Sequence, residues 1–484
     1  MTTGTRRHTM DCGGAARRAV MLAALAAGIA APITGRCASA DDRGRRDGGD
    51  MRGDVVASCV IPRVMLAAPR GEEPAVMLGG ISDLFVEPDA DAGTPGRRRA
   101  WLVTDRGPNG TTEVEGREHR TLASPSFAPR ILEARIDWDP RHPRQLAVEL
   151  MGTVPLCDRT GEAVSGRPNG LENDPLIFDP QGRAAIAPDV DGVDTEGLVR
   201  TRDGGFWLAE EYRPSLLAAD ADGTLQRRFV PAGVALPGAG TKVVDSLPAV
   251  YSQRRDNRGF EALAISPDET RIFALMQSPL DGTDPAVARK LGNVRLVAFD
   301  PARGQPVGEY VYRLGDPGQK GYRKGKAAPD DGKLCAMAAL GPSLLLVLEQ
   351  AGGGVARLYL ADLSVATNTL DRTVAGDEPP AEMLRDLDKA DITPVAKTLL
   401  ADLAPILDAM RAGTADRGTD RRDERDAKKS GPLKLEGLAV ADEQHVFLVN
   451  DDDFGIHEDA DDDPPPRTCL WVVRLPSAMR LTKN

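Results

Sequence analysis

Histidine, basic excess and long apolar runs are what this 484-residue chain has least of. There are five histidines; His8 lies in the leader, and His119, His142, His445 and His457 show no metal-ligand spacing, which argues against an imidazole-built zinc site. The chain contains no Gly-x-Ser-x-Gly elbow, no His-Glu-x-x-His and no P-loop, so the common nucleophile and nucleotide constellations find no support. A net charge of −12 argues against nonspecific nucleic-acid binding, which needs a basic face to neutralise phosphates. Aromatic residues make up 4%. Beyond residues 19–33 no stretch is apolar enough to span a membrane.

Glycine and proline are plentiful instead, at 50 and 37, and indicate many turns between short strands. The N-terminus reads as an export signal over residues 1–40. Arg17-Arg18 precedes the apolar run, and Ala38-Ser39-Ala40 is a small-x-small cleavage site. The paired arginines resemble a twin-arginine signal, so a periplasmic or secreted protein is expected. A polar leader, 41–54, follows. Cleavage leaves four cysteines, Cys59, Cys157, Cys335 and Cys469, which allow three pairings or none.

The chain is organised around one unit. Asp194-Thr195-Glu196-Gly197-Leu198 opens a short strand, the turn Arg202-Asp203-Gly204-Gly205 follows, and Phe206-Trp207-Leu208-Ala209 leads to Glu210-Glu211-Tyr212. Variants return at Gly259-Phe260-Glu261-Ala262-Leu263 and Lys434-Leu435-Glu436-Gly437-Leu438, with weaker copies at Ile81-Ser82-Asp83-Leu84 and Lys333-Leu334-Cys335-Ala336-Met337. Four short strands with turn residues at each corner make one β-propeller blade. An all-β propeller of five to seven blades is therefore expected over residues 55–475, with six favoured and a tail at 476–484. The sixth blade would lie between Ala366 and Pro432 or be split between the termini. The first strand is expected over 55–66, bulged or at an edge because of Pro62. It would pair with the last strand to close the ring, and a Cys59–Cys469 bridge would lock that closure. Residues 106–129 read as a polar loop, 376–431 as an insertion with helical spacing over 395–412, and 457–466 as an acidic surface loop.

In an antiparallel hairpin, the start of one strand and the end of the next share an edge. The repeated acids should therefore gather at one mouth of the propeller. The expected oxygen ligands are Asp83, Asp105, Glu196, Glu210, Glu261, Glu349, Glu436, Asn450 and Asp451. Hard donors of this kind suit a divalent cation, Ca²⁺ foremost. Glu196, Glu211, Glu261 and Glu436 are the expected catalytic acids, and Arg106, Tyr212, Arg213 and Arg258 the expected substrate contacts.

Taken in order, the segments DTEGLVRTRDGGFWLAEEYRPSLLAADADG, NRGFEALAISPDETRIFALMQSPL and KLEGLAVADEQHVFLVNDDDFG resemble the phytase-like family, "esterase-like activity of phytase". The resemblance implies an exported β-propeller hydrolase of esters or phosphoesters. It covers Glu196, Glu210, Glu211, Tyr212, Arg213, Glu261, Gln277, Glu436, Asn450, Asp451, Asp453, Phe454 and Gly455. The chain departs from it at Cys335, where an acid is expected, and in the insertion before Gly431. The expected partner is a small ester or phosphoester, on a monomer without nucleic acid or a membrane span after signal cleavage. Two other functions fit the same residues: a calcium-dependent lactonase or carboxylesterase, and a non-catalytic binding module of the cell envelope.

Overall fold

The computed structural model describes residues 51–88, 96–171, 174–315, 332–352, 354–376, 379–414, 433–456, 467–479 and 481, and the backbone of a two-residue strand at Cys37–Ala38. The signal, most of the 41–54 leader, the 457–466 loop and most of the charged run before Gly431 lie outside the described residues.

Among the described residues, five sheets of four or five strands are arranged about a ring. Blade I runs Ile81–Val86, Arg97–Thr104, Arg130–Trp138, Leu146–Pro155 from the centre outwards. Blade II runs Thr195–Arg200, Phe206–Glu210, Ser215–Ala219, Leu225–Pro231, with a fifth, parallel strand Lys242–Leu247 at its rim. Blade III comprises Phe260–Ile265, Ile272–Met276, Asn293–Asp300 and Gln305–Arg313. Blade IV comprises Lys333–Ala339, Leu344–Ala351, Val355–Asp362 and Ala396–Asp402. Blade V takes Lys434–Val440, His445–Asp451 and Cys469–Arg474 from the C-terminal side and Asp54–Val60 from the N-terminal side. The first strands pack in the order I to V, and V returns to I.

The ring explains the sequence pattern. Second strands such as Phe206–Glu210 and Ile272–Met276 are buried along their whole length because blades cover both of their faces, so they read as continuous apolar runs. Apolar wedges fill the spaces between blades: Leu84, Ala134, Phe447 and Val472 between V and I, and Leu346, Leu358, Leu448 and Trp471 between IV and V. Trp207 stacks on Phe229 within blade II and meets Phe299 of blade III edge-on.

Several expectations need correcting. Five blades close the ring, not six. The stretch between Ala366 and Pro432 supplies the outer strand of blade IV, and the blade split between the termini is the fifth. Of the helix expected over 395–412, residues Ala396–Asp402 form that outer strand and a helix spans Leu407–Thr414; the apolar spacing serves alternating strand burial first. The polar excursion 106–129 contains a hairpin, Asn109–Val114 and Arg117–Leu122, joined in parallel by Ile177–Phe178. The first strand divides around Pro62 into Asp54–Val60 and Met65–Ala67. The Cys59–Cys469 bridge is not formed. Cys469 faces Val60 and Cys59 faces Leu470, so a one-residue offset sends the two thiols to opposite sides of the sheet, into different apolar wedges. The Cys469 thiol is free and buried.

Candidate functional site

Each central strand carries a β-bulge at the same point. The register slips between Ile81 and Asp83, Thr195 and Gly197, Phe260 and Ala262, Leu334 and Ala336, and Leu435 and Gly437. The residues released from the ladder are Ser82, Glu196, Glu261, Cys335 and Glu436. A bulge re-aims a side chain, and here it turns one residue per blade towards a common site. In blades II and V the residue after the bulge is a glycine that lies where neighbouring central strands approach closely. A Cβ on Gly197 would stand 3.0 Å from the Leu263 nitrogen, and one on Gly437 2.9 Å from the Leu84 nitrogen. The Glu-Gly-Leu signature thus combines an aimed acid with a contact that has no room for a side chain.

A second tier comes from residues at or just past the ends of the second strands: Asp105, Glu211, Gln277, Gln350 and Asp451. The residues one position earlier, Glu210, Glu349 and Asn450, are not part of it. Glu210 turns into blade II, where it accepts from the Tyr212 and Arg213 amides at 2.8 Å each and pairs with Arg228 at 2.8 Å. Glu349 accepts from the Tyr312 hydroxyl at 2.6 Å and pairs with Lys397. Asn450 accepts from the Cys469 amide at 2.8 Å. All three brace blade corners because they pair in register with the residue before each bulge, and so point away from the bulged acids. Asp83 is likewise structural. Ser82 holds the bulge position of blade I, and Asp83 accepts from the Leu84 amide at 2.7 Å and the Leu198 amide at 2.8 Å, tying blades I and II together. Burial still pushes the Asp83 carboxyl well up, against those amides and that of Leu438.

The densest acid group is Asp194, Glu196 and Glu211, all buried, with ligand oxygens within 4.8 Å of one another. Asp194 opens the motif in the sequence but is absent from the expected ligands. Only the fold shows that its backbone oxygen accepts from the Glu211 amide at 2.9 Å, which brings the two together. Arg106 stands against this group. Its Nη2 is 2.8 Å from Asp194 Oδ2, 3.3 Å from Glu211 Oε2 and 2.6 Å from Asn257 Oδ1, and its guanidinium lies over the Tyr212 ring. The Tyr212 hydroxyl donates to the Gly166 carbonyl at 2.6 Å, so Tyr212 supports Arg106 from below. Arg213 is drawn off to Asp174 and takes no place in the acid group.

Charge is unevenly balanced. Burial pushes the Glu196 carboxyl well above its ordinary range, and Asp194, Glu261, Glu211 and Glu436 all add to the rise. No described residue donates a hydrogen bond to Glu196. Burial and Asp194 raise Glu211, and Arg106 offsets part of this. Burial carries Glu261 to about 7 despite the pull of Lys333, and its Oε2 has no hydrogen-bond partner among the described residues. Asp105 rises through burial and Asp194, and Asp451 through burial and Asp453. On the far arc, Lys333 Nζ lies 3.0 Å from Glu436 Oε1, and Lys434 Nζ is 3.7 Å from Asp451. Neither lysine was among the expected site residues, although each opens its blade's central strand two positions before the bulged residue.

A closed five-bladed β-propeller with bulged carboxylates converging at one end of its central strands is the class of protein that fold and site define. The chain belongs to the phytase-like family, "Esterase-like activity of phytase", which its residues 77–454 match. An uncharacterized secreted protein of Arthroderma benhamiae is 26% identical over 245 residues, 44% of this chain and 47% of that protein. The matched region thus spans about half of that relative's length. Among solved structures, the RRP9 WD40 repeats align at TM-score 0.30 and 11% identity over 85% of this chain and 100% of that one. The PQQ-bound aldose sugar dehydrogenase of Streptomyces coelicolor aligns at 0.27 and 12%, over 88% and 100%. Among the described residues no helix is long and apolar enough to cross a membrane.

Proposed function

We propose that this protein is an exported hydrolase that cleaves an ester, with phosphoesters foremost, using a divalent cation held by Asp194, Glu196 and Glu211. The observation that carries this reading is Glu196. It is a buried carboxylate surrounded by four others, with no cation and no hydrogen-bond donor of the protein in contact among the described residues. Arg106 pairs with two of the three carboxylates, Asp194 and Glu211, and the Arg120 guanidinium adds positive charge towards the same two. Carboxylate oxygens within 4.8 Å of one another fit a cation with oxygen distances of about 2.3–2.6 Å, the range for calcium. The family description and the secreted relative support the hydrolase and export readings.

A bound calcium would supply Lewis-acid polarisation of the ester and lower the pKa of water. The chain's own residues do the rest. Arg106, held by Asn257 and stacked over Tyr212, presents a fixed cation to substrate oxygens. Glu261, raised by burial to about 7, can exchange a proton with water or a leaving group near neutral pH. The near-complete burial of the acids keeps bulk water out and strengthens each charge interaction.

Metal analysis of the mature protein, followed by an ester panel with and without chelator, tests the reading. The expected result is one calcium per chain and hydrolysis that chelation abolishes and calcium restores. Hydrolysis that continues unchanged in chelator would overturn it.

A further inference from the structure

The bulged positions round the ring are Ser82, Glu196, Glu261, Cys335 and Glu436, and blade IV breaks the acid pattern. Burial pushes the Cys335 thiol up, so it is uncharged at neutral pH; its Sγ lies 3.5 Å from Gln350 Oε1. Two residues earlier, Lys333 contacts Glu436, and its side chain keeps 22% exposure. Burial pulls its ammonium down, but the Glu436 and Glu261 carboxylates hold it charged. Arg258, on the approach to blade III, donates from Nη1 to the Gly332 carbonyl at 3.3 Å, which brings its guanidinium to the start of the same strand. Among the described residues Arg258 has no carboxylate in ion-pair contact.

Two cations on this arc therefore balance Glu261 and Glu436, and among the described residues most of their donors have no partner. An ammonium has three N–H groups and a guanidinium five; one of each is engaged here. On the other arc, Arg106 pairs with Asp194 and Glu211, with Arg120 beyond it, and Glu196 has no cation in contact among the described residues. The ring is polarised, with a cation-seeking arc on blade II and an anion-receiving arc between blades III and IV.

We propose that Lys333 and Arg258 receive an anionic oxygen group of the substrate, of the phosphate kind, across the ring from the cation, and that Cys335 makes this possible. A carboxylate at position 335 would engage Lys333 and repel an incoming anion. An uncharged thiol of similar size leaves both cations available. This specificity rests on the hydrolase reading above, but its test does not depend on turnover.

The test is a calorimetric titration of inorganic phosphate into the full mature protein, in magnesium and in chelator, beside a separate calcium titration. Wild type and C335S bind phosphate. K333M, R258M and C335D each weaken it tenfold or more, with calcium affinity within about twofold of wild type. K333M/E436Q, which also removes the Glu436 carboxylate that K333M alone would leave without its lysine, guards against a folding defect and shows the same loss of phosphate. Phosphate binding that is absent in wild type, or unchanged in K333M/E436Q and C335D, overturns the proposal. Phosphate binding that depends on Lys333 in a protein that takes up no calcium leaves it standing and removes only the cation reading.

Discussion

At the scale of single residues, Glu196 and Glu261 differ in what relieves them. Glu196 has only other acids about it, whereas Glu261 is moderated by Lys333 and Arg258. Replacing Glu196 with Gln removes an uncompensated buried charge. In chelator E196Q should melt above wild type, and in calcium it should lose the stabilisation that wild type gains; equal calcium-induced shifts in the two proteins would contradict the ligand role. Glu261 sets a pH dependence. Its folded pKa of about 7 exceeds the value of about 4.3 in an unfolded chain. Below about pH 4.3 both states hold the proton, and its stabilising contribution is fully present. As pH rises, the unfolded chain releases the proton first, and the contribution is lost through about pH 7. The melting temperature of the chelated protein should therefore fall between pH 5 and 7.5, and E261Q should fall less.

At the scale of elements, the bulge and the residue after it act together. Gly437 sits where a Cβ would meet Val449 and the Leu84 backbone, so G437A should destabilise the protein by about 1–3 kcal/mol in denaturant melts, as overpacking does. A second element-level device is the buried group on Arg295. It pairs with Glu309 at 2.7 Å and with Glu382 of the insertion at 2.5 Å, and the Tyr251 hydroxyl donates to Glu309 at 2.7 Å. Removing one partner of a buried pair costs about 3–5 kcal/mol. E382A should release the insertion, seen as faster limited proteolysis at 364–392 with little change at the distant acid group. Cleavage at the wild-type rate would show that the apolar contact of Leu387 and Ile392 with Val311 holds it instead.

At the scale of the whole molecule, closure by strands from both ends decides stability. Asp54–Val60 lies against Cys469–Arg474, so the latter strand has a neighbour on each side and the sheet of blade V is complete. Removing residues 1–50 should leave the melting transition in place, whereas removing 1–60 exposes the third strand of blade V as an edge and should give aggregation or loss of the cooperative transition in calorimetry. A cooperative transition in the shorter protein would mean that the ring closes without the N-terminal strand.

The blade architecture, the closure by N- and C-terminal strands and the convergence of Glu196, Glu211, Glu261 and Glu436 were legible in the linear chain. Each depends on local pattern: turn residues at fixed offsets, apolar runs, and an acid repeated at the same strand position. Blade number was not legible, because a strand such as Ala396–Asp402 joins its blade only after a long insertion, and apolar spacing alone cannot tell it from a helix. Nor could the chain say which acids face the site. Glu210 and Glu211 are adjacent and chemically alike, yet strand alternation turns one into the blade and the other to the acid group. Asp83, an expected ligand, leaves the bulge position to Ser82 because a bulge shifts facing by one residue. Asp194, Lys333 and Cys335 acquire their meaning only when five distant strands meet. The repeat is written in the sequence, whereas the balance of charge around the ring is a sum over contacts between blades, and those exist only in the closed fold.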